Sequence, residues 1–236
     1  MKELFERHIV ALGGGGFSDE PDNLLLDDYI LSLIGKSIPK VCFVPTASGD
    51  SPGYVARFRT SFPLERGEAV LLALFQRTIE DLRTFVLSQD VVYVGGGNTV
   101  NMLAVWRAHG LDTILREAWE AGVILCGTSA GALCWFESGT TDSMGGGLAP
   151  LHDGLGFLPG SFCPHYNSEL EQQPTYRKFV ADGLPGGYAA DDGVGLHFRG
   201  TQLVEAVSAR SGARAFHVEQ VNGMSVETPL VTRFLG

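Results

Sequence analysis

Along the first half of the chain, short apolar runs that end in glycine or proline alternate with segments in which apolar residues recur at helical spacing. His8 to Leu12, Lys40 to Val44, Ala69 to Leu74, Asp90 to Val94 and Val123 to Cys126 are rich in Val, Leu and Ile and apolar nearly throughout. Strands read this way when a parallel sheet is covered on both faces. Asp22 to Ile34, Tyr54 to Glu65, Thr78 to Ser88 and Thr99 to Ala121 carry the helical period, and Thr78 with Asp81 three residues on predicts an N-cap close to a capping box. The alternation predicts an α/β fold, a doubly wound and mostly parallel sheet flanked by helices and joined by right-handed crossovers.

After Glu137 the texture changes. Ser138 to Gly160 is rich in Gly, Thr and Pro and reads as loops or a hairpin, and Ser161 to Cys163 leads into Pro164-His165-Tyr166. A helix is expected at about Glu169 to Asp182. From Gly195 to Leu235 polar and apolar residues alternate, which predicts C-terminal antiparallel strands added to the sheet.

The 236 residues are 44% hydrophobic, enough for a substantial core, and with no internal repeat they read as one domain over 1–236. A net charge of -10 without a Lys/Arg cluster argues against nucleic acid or an anionic membrane as partner. No run is long enough to span a bilayer, and the start MKELFERHIVALGGGG does not read as a secretion signal. The four cysteines, Cys42, Cys126, Cys134 and Cys163, lie mostly in apolar segments without C-x-x-C pairing. They read as buried thiols of a cytoplasmic protein, not as zinc ligands or disulfides.

Ligands of doubly wound sheets bind beyond the carboxyl ends of the strands. Three glycine clusters stand there: Gly13 to Gly16, Gly95 to Gly97, and Gly127 with Gly131 around Ser129. A dinucleotide loop fails on spacing, because a G-x-G-x-x-G frame from Gly13 ends on Ser18 and one from Gly95 ends on Val100, and no G-K-[ST] occurs. Gly13 to Gly16 then read as strand-end turns. Gly95-Gly96-Gly97-Asn98-Thr99 could aim backbone N–H groups into a cleft from the start of a helix.

Gly127-Thr128-Ser129-Ala130-Gly131 fits G-x-S-x-G, the nucleophile elbow, whose sharp strand-to-helix turn needs small flanking residues. The Ala130 N–H and one from the Gly95 to Gly97 turn would form the oxyanion hole; the alternative is a turn whose serine only caps a helix. A serine needs a base. Of six histidines, His197 and His217 lie in strand-like segments, His8 and His109 flank elements elsewhere, His152 sits in a loop, and His165 follows Pro164 at the mouth of a loop. His165 is the preferred base. Asp191 and Asp192 supply an acid, and being adjacent on an extended chain only one of them can reach the imidazole. The order Ser129, His165, Asp192 differs from the serine, acid, histidine order of an α/β-hydrolase.

These residues resemble peptidase E, the aspartyl dipeptidase family of serine peptidases, whose fold is related to class I glutamine amidotransferases and whose relatives include cyanophycinase. The resemblance rests on Val94-Gly95-Gly96-Gly97-Asn98-Thr99, Gly127-Thr128-Ser129-Ala130-Gly131-Ala132, Pro164-His165-Tyr166 and Asp192-Gly193, over about Ile9 to Val207. It implies Ser129 as nucleophile, His165 as base, Gly97 and Ala130 as oxyanion donors, and Asp192 where the family commonly has glutamate. It also implies Asp142 near the substrate pocket, Asn98 beside it, and a preference for N-terminal aspartate, whose carboxylate would need a cation; Arg177 is the nearest downstream. The expected activity is hydrolysis of short peptides, Asp-X dipeptides foremost, with no metal or cofactor. A cyanophycinase-like or broader amide hydrolase, and a catalytically silent amidotransferase-like binding protein, stay open. Sheets of this type often pair through apolar edges or helices, so a homodimer stays open too.

Overall fold

The structure, a computed structural model, describes residues 6–168 and 170–236. The first half follows the expected alternation: β1 (His8–Leu12), α1 (Leu25–Ser32), β2 (Lys40–Val44), α2 (Pro52–Ser61), β3 (Glu68–Leu71), α3 (Leu82–Leu87), β4 (Val91–Val94), α4 (Thr99–His109), α5 (Leu111–Glu120), β5 (Ile124–Thr128) and α6 (Ala130–Leu133). The second half adds β6 (Phe136–Thr141), β7 (Ala149–Leu151), β8 (Leu158–Cys163), α7 (Gln172–Ala181), β9 (Gly187–Ala190), β10 (Val194–Arg199), β11 (Gln202–Ser208), β12 (Ala215–Val221), β13 (Met224–Pro229) and β14 (Thr232–Phe234).

Eight strands form the main sheet in the order β14-β11-β10-β1-β5-β4-β2-β3. From β3 to β1 every pairing is parallel, whereas β10 runs antiparallel to β1 and β11 antiparallel to β10. Period-two burial sorts the strands' side chains onto two faces. Ile9, Val92 and Leu125 join one apolar cluster with Trp106, Trp119 and Trp135, and Val10, Tyr93 and Ile124 join another with Phe17, Phe43 and Phe58. Both faces are therefore buried, which is why these strands are apolar throughout. None of the helices among the described residues is long and apolar enough to cross a membrane.

Several boundaries differ from the sequence reading. The span Thr99 to Ala121 is two helices, because Gly110 takes φ 68, caps α4 with its N–H and restarts the chain as α5. The cap of α3 is Asp81, which accepts from the Thr84 N–H at 2.9 Å, and not Thr78. Residues around Thr78 stay irregular because the Arg77 guanidinium binds the Ile79 and Glu80 carbonyls. α2 stops before Pro63, which cannot continue a helix. Of the helix expected at Glu169 to Asp182, Glu169 lies outside the described residues, and α7 covers Gln172–Ala181.

The stretch read as loops or a hairpin is part of a second sheet of six strands, β13-β12-β9-β8-β6-β7. β6 and β7 form the hairpin, while β8 runs parallel to both β6 and β9, so this sheet is mixed. The C-terminal alternating segment is divided between the sheets: β11 pairs in the main one, β12 and β13 in the second. The third apolar cluster, with Tyr166, Tyr176, Val180 and Phe216, joins α7 to the second sheet, and the His165 N–H bond to Gly13 O ties the segment after β8 to the carboxyl end of β1.

Candidate active site

Ser129 stands alone between β5 and α6 with φ 55 and ψ -116, a conformation that L-residues seldom hold. The turn closes only because its flanks are bare: a Cβ at Gly127 would overlap the Gly131 carbonyl oxygen, and one at Gly131 would overlap that of Val94. The Ser129 N–H donates to Leu12 O at 3.2 Å, and its own carbonyl accepts from Ala132 and Leu133, both at 2.9 Å. Strain of this kind survives only where surrounding bonds over-determine it.

His165 is held with equal rigidity at φ 55, just beyond β8 and Pro164. Its N–H donates to Gly13 O at 2.8 Å, and the next N–H, that of Tyr166, to Ala190 O at 3.1 Å. The ring Nδ1 lies 2.7 Å from Asp192 Oδ1. A carboxylate only accepts, so Nδ1 carries the proton and Nε2 is left as the basic nitrogen.

Asp192 sits between β9 and β10, with its N–H on Asn167 Oδ1 at 3.1 Å. Burial would raise its pKa, but bonds from His165 and Ser168 and the charges of His165 and Arg210 outweigh that and hold it below the usual carboxylate value. Asp191 faces the other way: its Oδ2 accepts the Arg214 N–H at 2.9 Å, and burial raises its pKa. Of the two acids only Asp192 meets the imidazole.

One contributor escaped the sequence reading. Gly14 passes so close to this pair that a Cβ there would overlap Asp192 Oδ1 and come 3.0 Å from His165 Cε1. The run of four glycines signalled it, but read as strand-end turns they pointed to no partner.

Ser129, His165, Gly97, Asn98, Ala130 and Asp142 all line one cavity of about 340 Å³, with Asp192 behind His165. The Gly95 to Gly97 turn faces the serine: a Cβ on Gly96 would lie 3.4 Å from Ser129 Cβ and 3.9 Å from its Oγ. The Gly96 N–H donates to the Tyr54 hydroxyl at 3.2 Å and the Asn98 N–H to Ala47 O at 2.8 Å, which leaves the Gly97 N–H without an acceptor among the described residues.

Asn98 has its side chain committed to the cavity wall. Its Oδ1 caps α4 through the Asn101 N–H at 2.8 Å, and its Nδ2 donates to Ser143 O at 3.0 Å. Arg177 is not in the cavity at all. It lies on α7, 3.5 Å from Glu227 and 3.4 Å from Ser225 Oγ, and lines a different surface depression. The residues lining the active-site cavity include Thr140, Thr141, Ser143 and Gln172 but, among the described residues, no Arg or Lys. No three His, Cys, Asp or Glu side chains among the described residues converge as a metal site requires.

The family model of peptidase family S51 matches residues 9–206. The chain belongs to peptidase family S51. It is a serine-type peptidase accordingly. It is 51% identical over 231 residues to the uncharacterized peptidase YgaJ of Bacillus subtilis (strain 168), covering 98% of this chain and 100% of that protein. It is 26% identical over 186 residues to peptidase E of Pasteurella multocida (strain Pm70), covering 75% and 77%. Among solved structures, a peptidase from an acI-B1 Actinobacterium superposes with a TM-score of 0.74 at 20% identity, over 97% of this chain and 96% of that one, a likeness of fold.

Proposed function

We propose that this S51 peptidase hydrolyses short peptides through Ser129, His165 and Asp192 by way of an acyl-enzyme. The observation that carries the reading is the strained Ser129 sharing a cavity with an imidazole whose Nδ1 is bound to Asp192 at 2.7 Å. Nε2 of His165 takes the Ser129 proton as Oγ attacks the scissile carbonyl, and the Gly97 and Ala130 N–H groups receive the oxyanion. The proton then passes to the leaving amine, and water, activated by the same imidazole, releases the acyl group.

The preference for N-terminal aspartate belongs to this proposal as its finer part. Asp142, an exposed carboxylate on a cavity whose other lining groups among the described residues are neutral, suits a substrate α-ammonium and so a free N-terminus. An aspartate side chain would have to rest on neutral donors such as the Thr140, Thr141 and Ser143 hydroxyls in place of Arg177. Four buried cysteines, none joined in a disulfide among the described residues, support a reducing compartment, the cytoplasm.

Release of amino acid from a panel of Asp-X, Glu-X, Asn-X and N-acetylated peptides tests both levels. Ser129→Ala should lower kcat/KM by about a million-fold with the fold intact by circular dichroism. Retained turnover refutes the mechanism. Equal rates on Asp-X and Asn-X refute the aspartate preference alone.

A further inference from the structure

Behind the His165–Asp192 pair lies an ion pair that the chemistry just described does not use. Arg210, in the turn between β11 and β12, runs its stem across Gly193, where a Cβ would come 2.7 Å from Arg210 Cγ. Glu20 grips its guanidinium at Nε and Nη2. The remaining nitrogen, Nη1, stands 3.9 Å from Asp192 Oδ2, the oxygen that His165 leaves unused. Glu20 is itself steadied, since its Oε2 accepts from Asn23 Nδ2 at 3.1 Å and the same amide reaches Ala209 O at 3.1 Å.

On the reading of Ser129, His165 and Asp192 given above, we propose that Arg210 and Glu20 are positioning residues that act on the reaction through Asp192 in opposite senses. The guanidinium keeps the carboxylate ionised and aimed at the imidazole, and Glu20 aims the guanidinium while offsetting its charge. The imidazole must be uncharged to take the serine proton, so a cation nearby extends activity to lower pH and an anion nearby retracts it. Among the described residues, the other charged or titratable groups around the pair are Asp191 with Arg214 on its far side, Asp19 on the Gly15 N–H at 2.8 Å, and Asp142 on the cavity wall. The Ser168 hydroxyl bonds Asp192. None of these changes in the variants below.

The test is the rate of covalent labelling of Ser129 by a fluorophosphonate, read by mass spectrometry as a function of pH, in the wild type, Arg210→Gln, Glu20→Gln and Arg210→Lys. For half-exposed charges the acid limb should move to higher pH by about half a unit in Arg210→Gln and to lower pH by a similar amount in Glu20→Gln. Arg210→Lys should restore the wild-type limb. Movement in opposite directions is something a purely structural pair cannot produce. Limbs that coincide, or that move the same way, overturn the proposal while leaving the nucleophile reading in place. Absence of labelling in the wild type sinks both. Should Arg210→Gln fail to fold, the Glu20→Gln limb decides: a downward move supports the proposal and an unmoved limb overturns it.

Discussion

Two non-glycine residues of the site, Ser129 and His165, hold left-handed backbone conformations, and both are locked by bonds to neighbouring carbonyls at the end of β1: Ser129 to Leu12 O, its last residue, and His165 to Gly13 O, the next. The nucleophile and its base are thus registered to one another through a shared backbone. Gly14 extends this register to the acid. Gly14→Ala should push the Asp192 carboxylate off the imidazole and lower kcat/KM on the order of a hundredfold, because a displaced orienter misplaces the base. Gly127→Ala would instead meet the backbone oxygens of Gly131 and Val94, and its loss should appear as stability in a thermal melt. Activity assays and melts on the two variants separate these outcomes, and two equally active variants would contradict the geometry.

At the scale of elements, the cavity is made by tying α4 to the loop after β6. Asn98 caps the helix and holds Ser143 O, while Ser143 Oγ accepts the Thr99 N–H at 2.8 Å and bonds Thr141 Oγ1 at 2.8 Å. Asn98→Ala removes both the cap and the tether. Loss of the cap should cost about 1 kcal/mol, a fall of about 2–4 °C in Tm for a chain of this size. Loss of the tether frees the segment that carries Asp142, so KM should rise more than kcat falls. Steady-state kinetics on a cleaved peptide checks the split.

Across the whole molecule, the end of the main sheet opposite the active site is closed by a polar chain. His8 Nδ1 and His197 Nε2 lie 2.9 Å apart, the Tyr29 hydroxyl is 2.7 Å from His197 Nδ1 and donates to Glu205 at 2.9 Å, and Arg233 binds Glu205 from β14. Burial, with the charges of His8 and Arg199, pushes the His197 pKa down to about 4 from 6.5. The unfolded chain therefore binds more protons than the folded one between these values. The stability that His197 contributes is complete above about pH 6.5 and drains as pH falls to about 4, on the order of 3 kcal/mol in all. Urea midpoints at pH 7 and pH 5 should differ in that direction. His197→Gln should flatten the slope, and an unchanged slope would exclude His197 as its source.

The sequence by itself determined the five parallel strands, the glycine-flanked serine and the histidine after Pro164. Each of these is governed by local rules: continuous apolar runs for strands buried on both faces, bare neighbours for a sharp turn, an extended approach before a proline. The break at Gly110 was legible in principle but was hidden by apolar spacing that continues through it. Only the tertiary structure decided between Asp191 and Asp192, moved Arg177 away from the cavity, and raised the glycine-rich stretch after Glu137 into a second sheet. Those outcomes depend on contacts between residues far apart in the chain. Gly14 beside Asp192, Arg210 against Glu20 and β6 against β8 leave no periodic trace in the segments that make them, since the partner that fixes each position is supplied only when the chain folds back.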